Sequence, residues 1–196
     1  EVIQQGIERS LKKGTSLADT LKIVAEFRKL NQLTPIVLMG YLNPVEIMGH
    51  DNFVRKAKEV GVDGVLIVDM PPAEAGVINQ KLRDSNIDSI FLIAPTTSES
   101  RIKSILKMTS GYVYYVSLKG VTGASIIDKD EVERNVRSLR AYTGLPIVVG
   151  FGVKDAMSAR KMSRASDGVI VGTALVKSIG SLNAQERIEN EDVEKC

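Results

Sequence analysis

Six short apolar runs, at 36–41, 65–68, 90–93, 112–116, 147–149 and 169–171, constrain the fold of this chain more than any other feature. They are mostly continuous rather than alternating. A continuous Val/Ile/Leu run is what a strand needs when both of its faces are covered, as in a parallel sheet packed against helices. Helix-patterned segments fill the gaps. Residues 51–60 open on Asp51 and stop before Gly61, and 72–83 open on Pro72 with Glu74 in the first turn. Residues 98–108 carry Ser98 and Glu99 early and lysines late, 130–142 open on acidic residues and close before Gly144, and 154–164 supply another. Strand and helix in strict alternation make βαβ units with right-handed crossovers, which narrows the choice to a barrel or a doubly wound sheet.

Glycines decide between the two. The run at 112–116 leads into Gly120-Val-Thr-Gly123, and two later runs end in Val148-Val-Gly-Phe-Gly152 and Val169-Ile-Val-Gly-Thr173. A strand followed by such a loop presents backbone N–H groups to an anion, the more so where a helix start follows, as it does after Gly172 and Thr173. Each loop alone is equally an ordinary turn, since glycine goes wherever φ must be positive. Three of them late in the strand series point to phosphate held where barrels hold it, whereas a doubly wound sheet places its glycine-rich turn after the first strand. The expected fold is therefore an α/β (β/α)8 TIM barrel that binds a phosphorylated small molecule. The 196 residues fall short of the roughly 250 of a complete barrel. Two helix patterns, at 2–12 and 16–31, precede the first run with no strand before them, and 184–196 lack the apolar stripe of a docked helix. A single partial barrel domain over 1–196 is expected, with its first two strands absent and 184–196 a poorly ordered tail.

The 26 basic and 24 acidic residues leave a net charge of +2 with no block of like charge, so neither nucleic acid nor another polyanion is an expected partner. The one cysteine, Cys196, allows no intrachain disulfide and suits a reducing, cytoplasmic setting. No apolar run approaches the ~20 residues of a membrane span, and no signal pattern opens the chain. Tyr112 and Tyr114 share a strand face, and Tyr114 lies near the C-terminal end, where its hydroxyl can reach a ligand or simply pack. Asp69, beside Met70-Pro-Pro72, is either a catalytic carboxylate at a strand end or a cap for the next helix. His50 reads as a surface residue in a polar loop, because acid/base or ligand partners are not nearby. No His/Cys/carboxylate cluster has metal-ligand spacing, so no metal is expected.

Taken in order, Met39-Gly-Tyr-Leu-Asn-Pro44, Gly61-Val-Asp-Gly-Val-Leu-Ile-Val-Asp-Met-Pro71, Gly120-Val-Thr-Gly-Ala124, Gly150-Phe-Gly152 and Gly168-Val-Ile-Val-Gly-Thr173 resemble the tryptophan synthase alpha subunit. The likeness runs from Ile3-Gln4 to Lys177. Other phosphate-binding barrels share the glycines but not the Gly-Tyr-Leu-Asn-Pro and Asp-Met-Pro segments at this spacing. The resemblance implies a lyase of tryptophan biosynthesis that cleaves indole-3-glycerol phosphate to indole and glyceraldehyde 3-phosphate. Indole would pass to a beta subunit in an alpha2beta2 heterotetramer, pyridoxal phosphate belonging to the beta subunit and no cofactor to alpha. Carried over by position, Gly123, Gly152, Gly172 and Thr173 would hold the phosphate, Thr173 standing where the family usually has serine. Met39, Tyr41, Leu66, Val68, Leu92, Tyr114, Phe151 and Ile170 would line the indole pocket, with Thr122 in the loop that closes over it. Asn43, Asp69 and Pro71 would face the beta subunit or communicate with it.

One departure matters. The family's two catalytic carboxylates, a glutamate ending the second strand and an aspartate in the following loop, belong upstream of Glu1, which itself aligns beyond that aspartate. No catalytic carboxylate is expected in this chain, Tyr114 being accessory, so the 196 residues are expected to bind better than they react. The competing readings are another phosphate-binding barrel, such as a sugar-phosphate isomerase or epimerase, and a non-catalytic module that recognises a partner subunit.

Overall fold

The computed structural model describes residues 2–116, 129–150, 153 and 155–182. Its first elements are α1 (Val2–Lys12), α2 (Leu17–Leu30), β1 (Val37–Gly40), α3 (Leu42–Met48), α4 (His50–Val60), β2 (Gly64–Ile67) and α5 (Gly76–Asp84). Then come β3 (Asp88–Ser89), β4 (Phe91–Ile93), α6 (Glu99–Met108), β5 (Val113–Val116), α7 (Lys129–Arg140), β6 (Ile147–Gly150), α8 (Ala156–Ser163) and β7 (Gly168–Ile170). A last helix, α9, runs over 173–182.

Every strand pairing is parallel, in the orders β1-β2-β3 and β4-β5-β6-β7. Only Ile90 separates β3 from β4, so the two behave as one bent strand whose first half pairs with β2 and second half with β5. The ladder between β2 and this strand stops after Val65↔Ser89, leaving a seam in the upper wall between β2 and β4. Six strand positions of a (β/α)8 barrel are thus filled, and among the described residues β1 and β7 pair on one side only. The six apolar runs all became strands, shifted by a residue or two at their ends.

Period-two alternation sorts the side chains. Leu66, Ile90 and Tyr114 are buried on the inward face, with Val37, Leu92, Tyr112, Val116 and Ile170 against them. The alternate residues face the helices. Val65 and Ile67 join α2 to α5, while Phe91, Ile93, Val113, Tyr115, Ile147 and Val149 join α6, α7 and α8.

The N-terminal ends of the strands are laced by two copies of one clamp. Asp63, just before β2, accepts from the Ile36 N–H at 2.7 Å and from Arg28 of α2 at 2.5 Å. Arg28 also donates to the carbonyls of Gly61 and Thr34, at 2.9 and 2.8 Å. Asp167, just before β7, accepts from the Ile147 N–H at 2.8 Å and from Arg140 of α7 at 2.9 Å. In both, an Asp-Gly-Val segment opens a strand and its carboxylate ties down an amide at the start of the neighbouring strand, Ile36 just before β1 and Ile147 in β6.

Two local expectations change, and one helix is new. Residues 42–48, for which no element was predicted, form a helix, α3, which tolerates Pro44 in its first turn, where an N–H has no helical acceptor to lose. His50 consequently opens α4 instead of lying in a loop, and its ring bonds to Glu46 at 2.8 Å across the Gly49 hinge, whose φ is +79°. Residues 72–75 turn before α5 starts at Gly76. The tail at 184–196 lies outside the described residues. Among the described residues, no helix is long and apolar enough to cross a membrane.

Candidate active site at the barrel mouth

Because the strands are parallel, their C-terminal ends share one rim. The registers Gly40↔Ile67, Val116↔Gly150 and Gly150↔Ile170 set those ends level. The segments beginning at Tyr41, Val68, Ala94 and Val171 therefore leave from one end of the barrel, which is where barrels carry their chemistry.

Six of the residues expected to bind an aromatic ring lie on inward strand positions or directly continue them. Leu66 and Tyr114 are buried and Leu92 and Ile170 half-buried within the inward cluster. Met39 and Val68 take the same alternation at the top of β1 and β2, where they are exposed. Tyr41, the N-cap of α3, is exposed at the rim. Tyr114 owes its pose to Gly150. A Cβ added at Gly150 would lie 2.1 Å from the Tyr114 hydroxyl oxygen and 2.3 Å from a ring carbon, so the ring crosses β6 through the space that glycine leaves. Burial raises the Tyr114 phenol above its usual range, and the neighbouring Tyr112 adds to the shift. Burial likewise raises Tyr112. Both phenols stay neutral near neutral pH, which makes Tyr114 a proton-holding, hydrogen-bond-donating group rather than a base.

Gly172 and Thr173 stand where β7 gives way to α9, as the sequence indicates. The first helical bond there runs from the Val176 N–H to the Gly172 carbonyl at 3.1 Å, leaving the amides before it without helical acceptors. Gly172 is half-buried and Thr173 exposed. Thr122, Gly123, Phe151 and Gly152 lie outside the described residues.

One residue escaped the sequence reading as a site member. Ile3 of α1 brings its Cδ1 to 3.2 Å from where a Gly172 Cβ would be, so α1 abuts the mouth where β7 gives way to α9. Its only signal was membership of an amphipathic helix. Val116 joins the inward face too, and period two from Tyr112 and Tyr114 places it there.

Asp69 does not cap the following helix, α5, whose N-cap position is Ala75. Its Oδ1 accepts from the Leu42 N–H at 2.8 Å, so it holds the first turn of α3 from across the rim. That bond draws the loop containing Pro71 towards α3, which carries Asn43, and all three residues are exposed. His50 has no part in the mouth. Among the described residues, no group of three or more His, Cys, Asp or Glu side chains is placed to hold a metal.

Comparison with known proteins agrees with this geometry. The sequence pattern of the tryptophan synthase alpha chain matches residues 1–196. The alpha chain of Methylococcus capsulatus is 54% identical over 188 residues, covering 96% of this chain and 70% of that one. The alpha chain of Psychrobacter arcticus is 51% identical over 179 residues, covering 91% of this chain and 64% of that one. The chain thus spans about two thirds of the length of the curated relatives it matches. The crystal structure of the Legionella pneumophila alpha chain superposes with a TM-score of 0.85 at 39% identity, covering 94% of this chain and 68% of that one. The tryptophan synthase complex of Pyrococcus furiosus superposes at 0.82 with 39% identity, covering 92% and 72%. A match along the whole sequence and half-identical relatives place this chain in the tryptophan synthase alpha chain family.

Proposed function

We propose that this chain supplies the substrate-binding part of a lyase that cleaves indole-3-glycerol phosphate into indole and glyceraldehyde 3-phosphate in tryptophan biosynthesis. The observation that carries the reading is the pairing of an apolar inward face, crossed by the neutral Tyr114 phenol, with the amides at the start of α9. A flat bicyclic ring suits the first and a phosphate the second. Met39, Leu66, Val68, Leu92, Tyr114 and Ile170 take the ring, and Gly172 and Thr173, with Gly123 and Gly152, take the phosphate.

Cleavage of the bond between ring C3 and the side chain needs four proton movements. One proton leaves the ring nitrogen as another arrives at C3, one leaves the side-chain hydroxyl as it becomes the aldehyde, and one is restored to the nitrogen as the bonding pair returns to the ring. Each positioned acid or base contributes roughly 10² to 10⁴ in rate. The residues present contribute binding and orientation, with Tyr114 as accessory donor. No step calls for a cofactor; pyridoxal phosphate belongs to the beta subunit. Asn43, Asp69 and Pro71, drawn together by the Asp69 bond, form the surface offered to that subunit in an alpha2beta2 assembly.

The test is calorimetric titration with indole-3-propanol phosphate beside glycerol 3-phosphate. The indole compound should bind at least about ten-fold more tightly, since burying its ring removes apolar surface from water. Thr173→Ala should weaken both ligands alike. Equal affinity for the two would sink the indole reading and favour a sugar-phosphate barrel.

A further inference from the structure

The seam between β2 and β4 holds a cavity of about 420 Å³, a size that takes a small organic molecule. It adjoins the barrel mouth without lying wholly within it. Val68 and Leu92 contribute from the inward side, but Ile67, Phe91 and Ile105 belong to the helix-facing layers, so the cavity passes through the wall instead of lying within it. It exists because the β2 ladder stops at Ser89 and the two strand ends diverge above that point.

The cavity's polar side is specific. Arg101 is the one charged residue on its lining, and among the described residues its guanidinium has no hydrogen-bond or ion-pair partner. On the same helix, Lys103 is engaged with Glu99 at 2.6 Å. Beside Arg101 stand the hydroxyls of Thr96 and Ser98, and no carboxylate lines the cavity. An unpaired planar guanidinium over an apolar slot matches a planar anion attached to an apolar body.

We propose that this seam cavity is a second small-molecule site, which takes an aryl- or alkyl-substituted carboxylate, the carboxylate on Arg101 and the apolar part between Val68 and Phe91. It adjoins the ring pocket proposed for the barrel mouth and shares Val68 and Leu92 with it, but takes no part in the reaction proposed there.

The test uses 3-phenylpropanoate, its neutral amide, and acetate, titrated into the isotopically labelled 196-residue chain and followed by amide chemical shifts. 3-Phenylpropanoate should produce saturable shifts centred on Thr96, Ser98, Arg101 and Met70, with Gly172 unmoved. Arg101→Gln, a change at an exposed helix position that breaks no bond, should weaken binding by about ten-fold, as loss of a charged hydrogen bond does. The neutral amide should be weaker by a similar factor in the unaltered protein, which keeps the test sound should the variant misfold. The proposal is overturned if no saturable shift appears, if Arg101→Gln or the amide binds equally well, if the shifts centre on Tyr114 and Gly172, or if acetate alone reproduces them at the same concentration.

Discussion

Replacing Gly150 with alanine tests the packing of the barrel mouth directly. The backbone of Gly150 lies outside the left-handed region, so alanine is conformationally acceptable there and the residue is glycine for space alone. The added Cβ would sit 2.1, 2.3 and 2.4 Å from the hydroxyl oxygen, Cε2 and Cζ of Tyr114, against roughly 3.5–4 Å for an unstrained contact. The ring must therefore retreat by more than about 1 Å. It has little room, being 8% exposed with Leu66 and Ile90 each 2% exposed beside it. Overpacking of this kind costs about 1–3 kcal/mol, and so severe an overlap belongs near the top of that range. Alanine's lower chain entropy in the unfolded state offsets about 0.5 kcal/mol. The net loss of about 2 kcal/mol corresponds to a fall in Tm of roughly 4–8 °C by calorimetry for a chain of this size. In a Tyr114→Leu background the obstructing atoms are gone, and the same glycine change should cost less than half as much. An equal cost in both backgrounds, or a Tm within about 1 °C of the parent, would refute the reasoning.

Other perturbations address the base of the barrel and its helices. Arg28→Ala removes the partner of Asp63 and the donors to Gly61 and Thr34 from a side chain only 11% exposed, and should cost about 2 kcal/mol in urea unfolding. The Arg140 guanidinium, with the Ile147 amide second, holds Asp167 below the usual carboxylate range. A lowered carboxyl contributes stability above its unfolded pKa and loses it as pH falls through the folded value. Unfolding midpoints should therefore drop between about pH 5 and about pH 2, and less so in Asp167→Asn. The effect should be small, because the Asp167 side chain is 38% exposed. Ser16→Ala should cost about 1 kcal/mol as a lost N-cap. It should also release Asp19, held at about 2 chiefly by the Ser16 hydroxyl, towards its ordinary value, as a carboxyl NMR titration would show.

The strand series was legible because burial on both faces demands continuous apolar runs, and the structure supplies that burial in β2 and β5. The seam was not legible. Residues 90–93 read as one apolar run, the polar Asp88 and Ser89 before it gave no sign of a strand, and the bend at Ile90 arises from what β2 and β5 separately require of it. Helix α3 escaped because it is short, contains Pro44 and has glycines on both sides at Gly40 and Gly49, each of which reads as punctuation. At the mouth, Gly172 and Thr173 announce themselves through residue type, whereas Ile3 matters only through the tertiary contact that brings α1 to β7. The Asp69 bond to Leu42 spans 27 positions, so no local pattern could distinguish it from a cap on the nearer helix.

The paired clamps at Asp63 and Asp167 fix where variation can be afforded. Each fastens two strands, a helix arginine and a strand-opening glycine at the end of the barrel away from the mouth. The opposite rim contributes little to that lacing. A library randomised at Tyr41, Val68 or Thr96 should yield mostly folded proteins with altered ligand preference, whereas one randomised at Asp63 or Arg28 should yield few folded members. Adaptability at one end of this barrel would then be a property conferred by residues at the other.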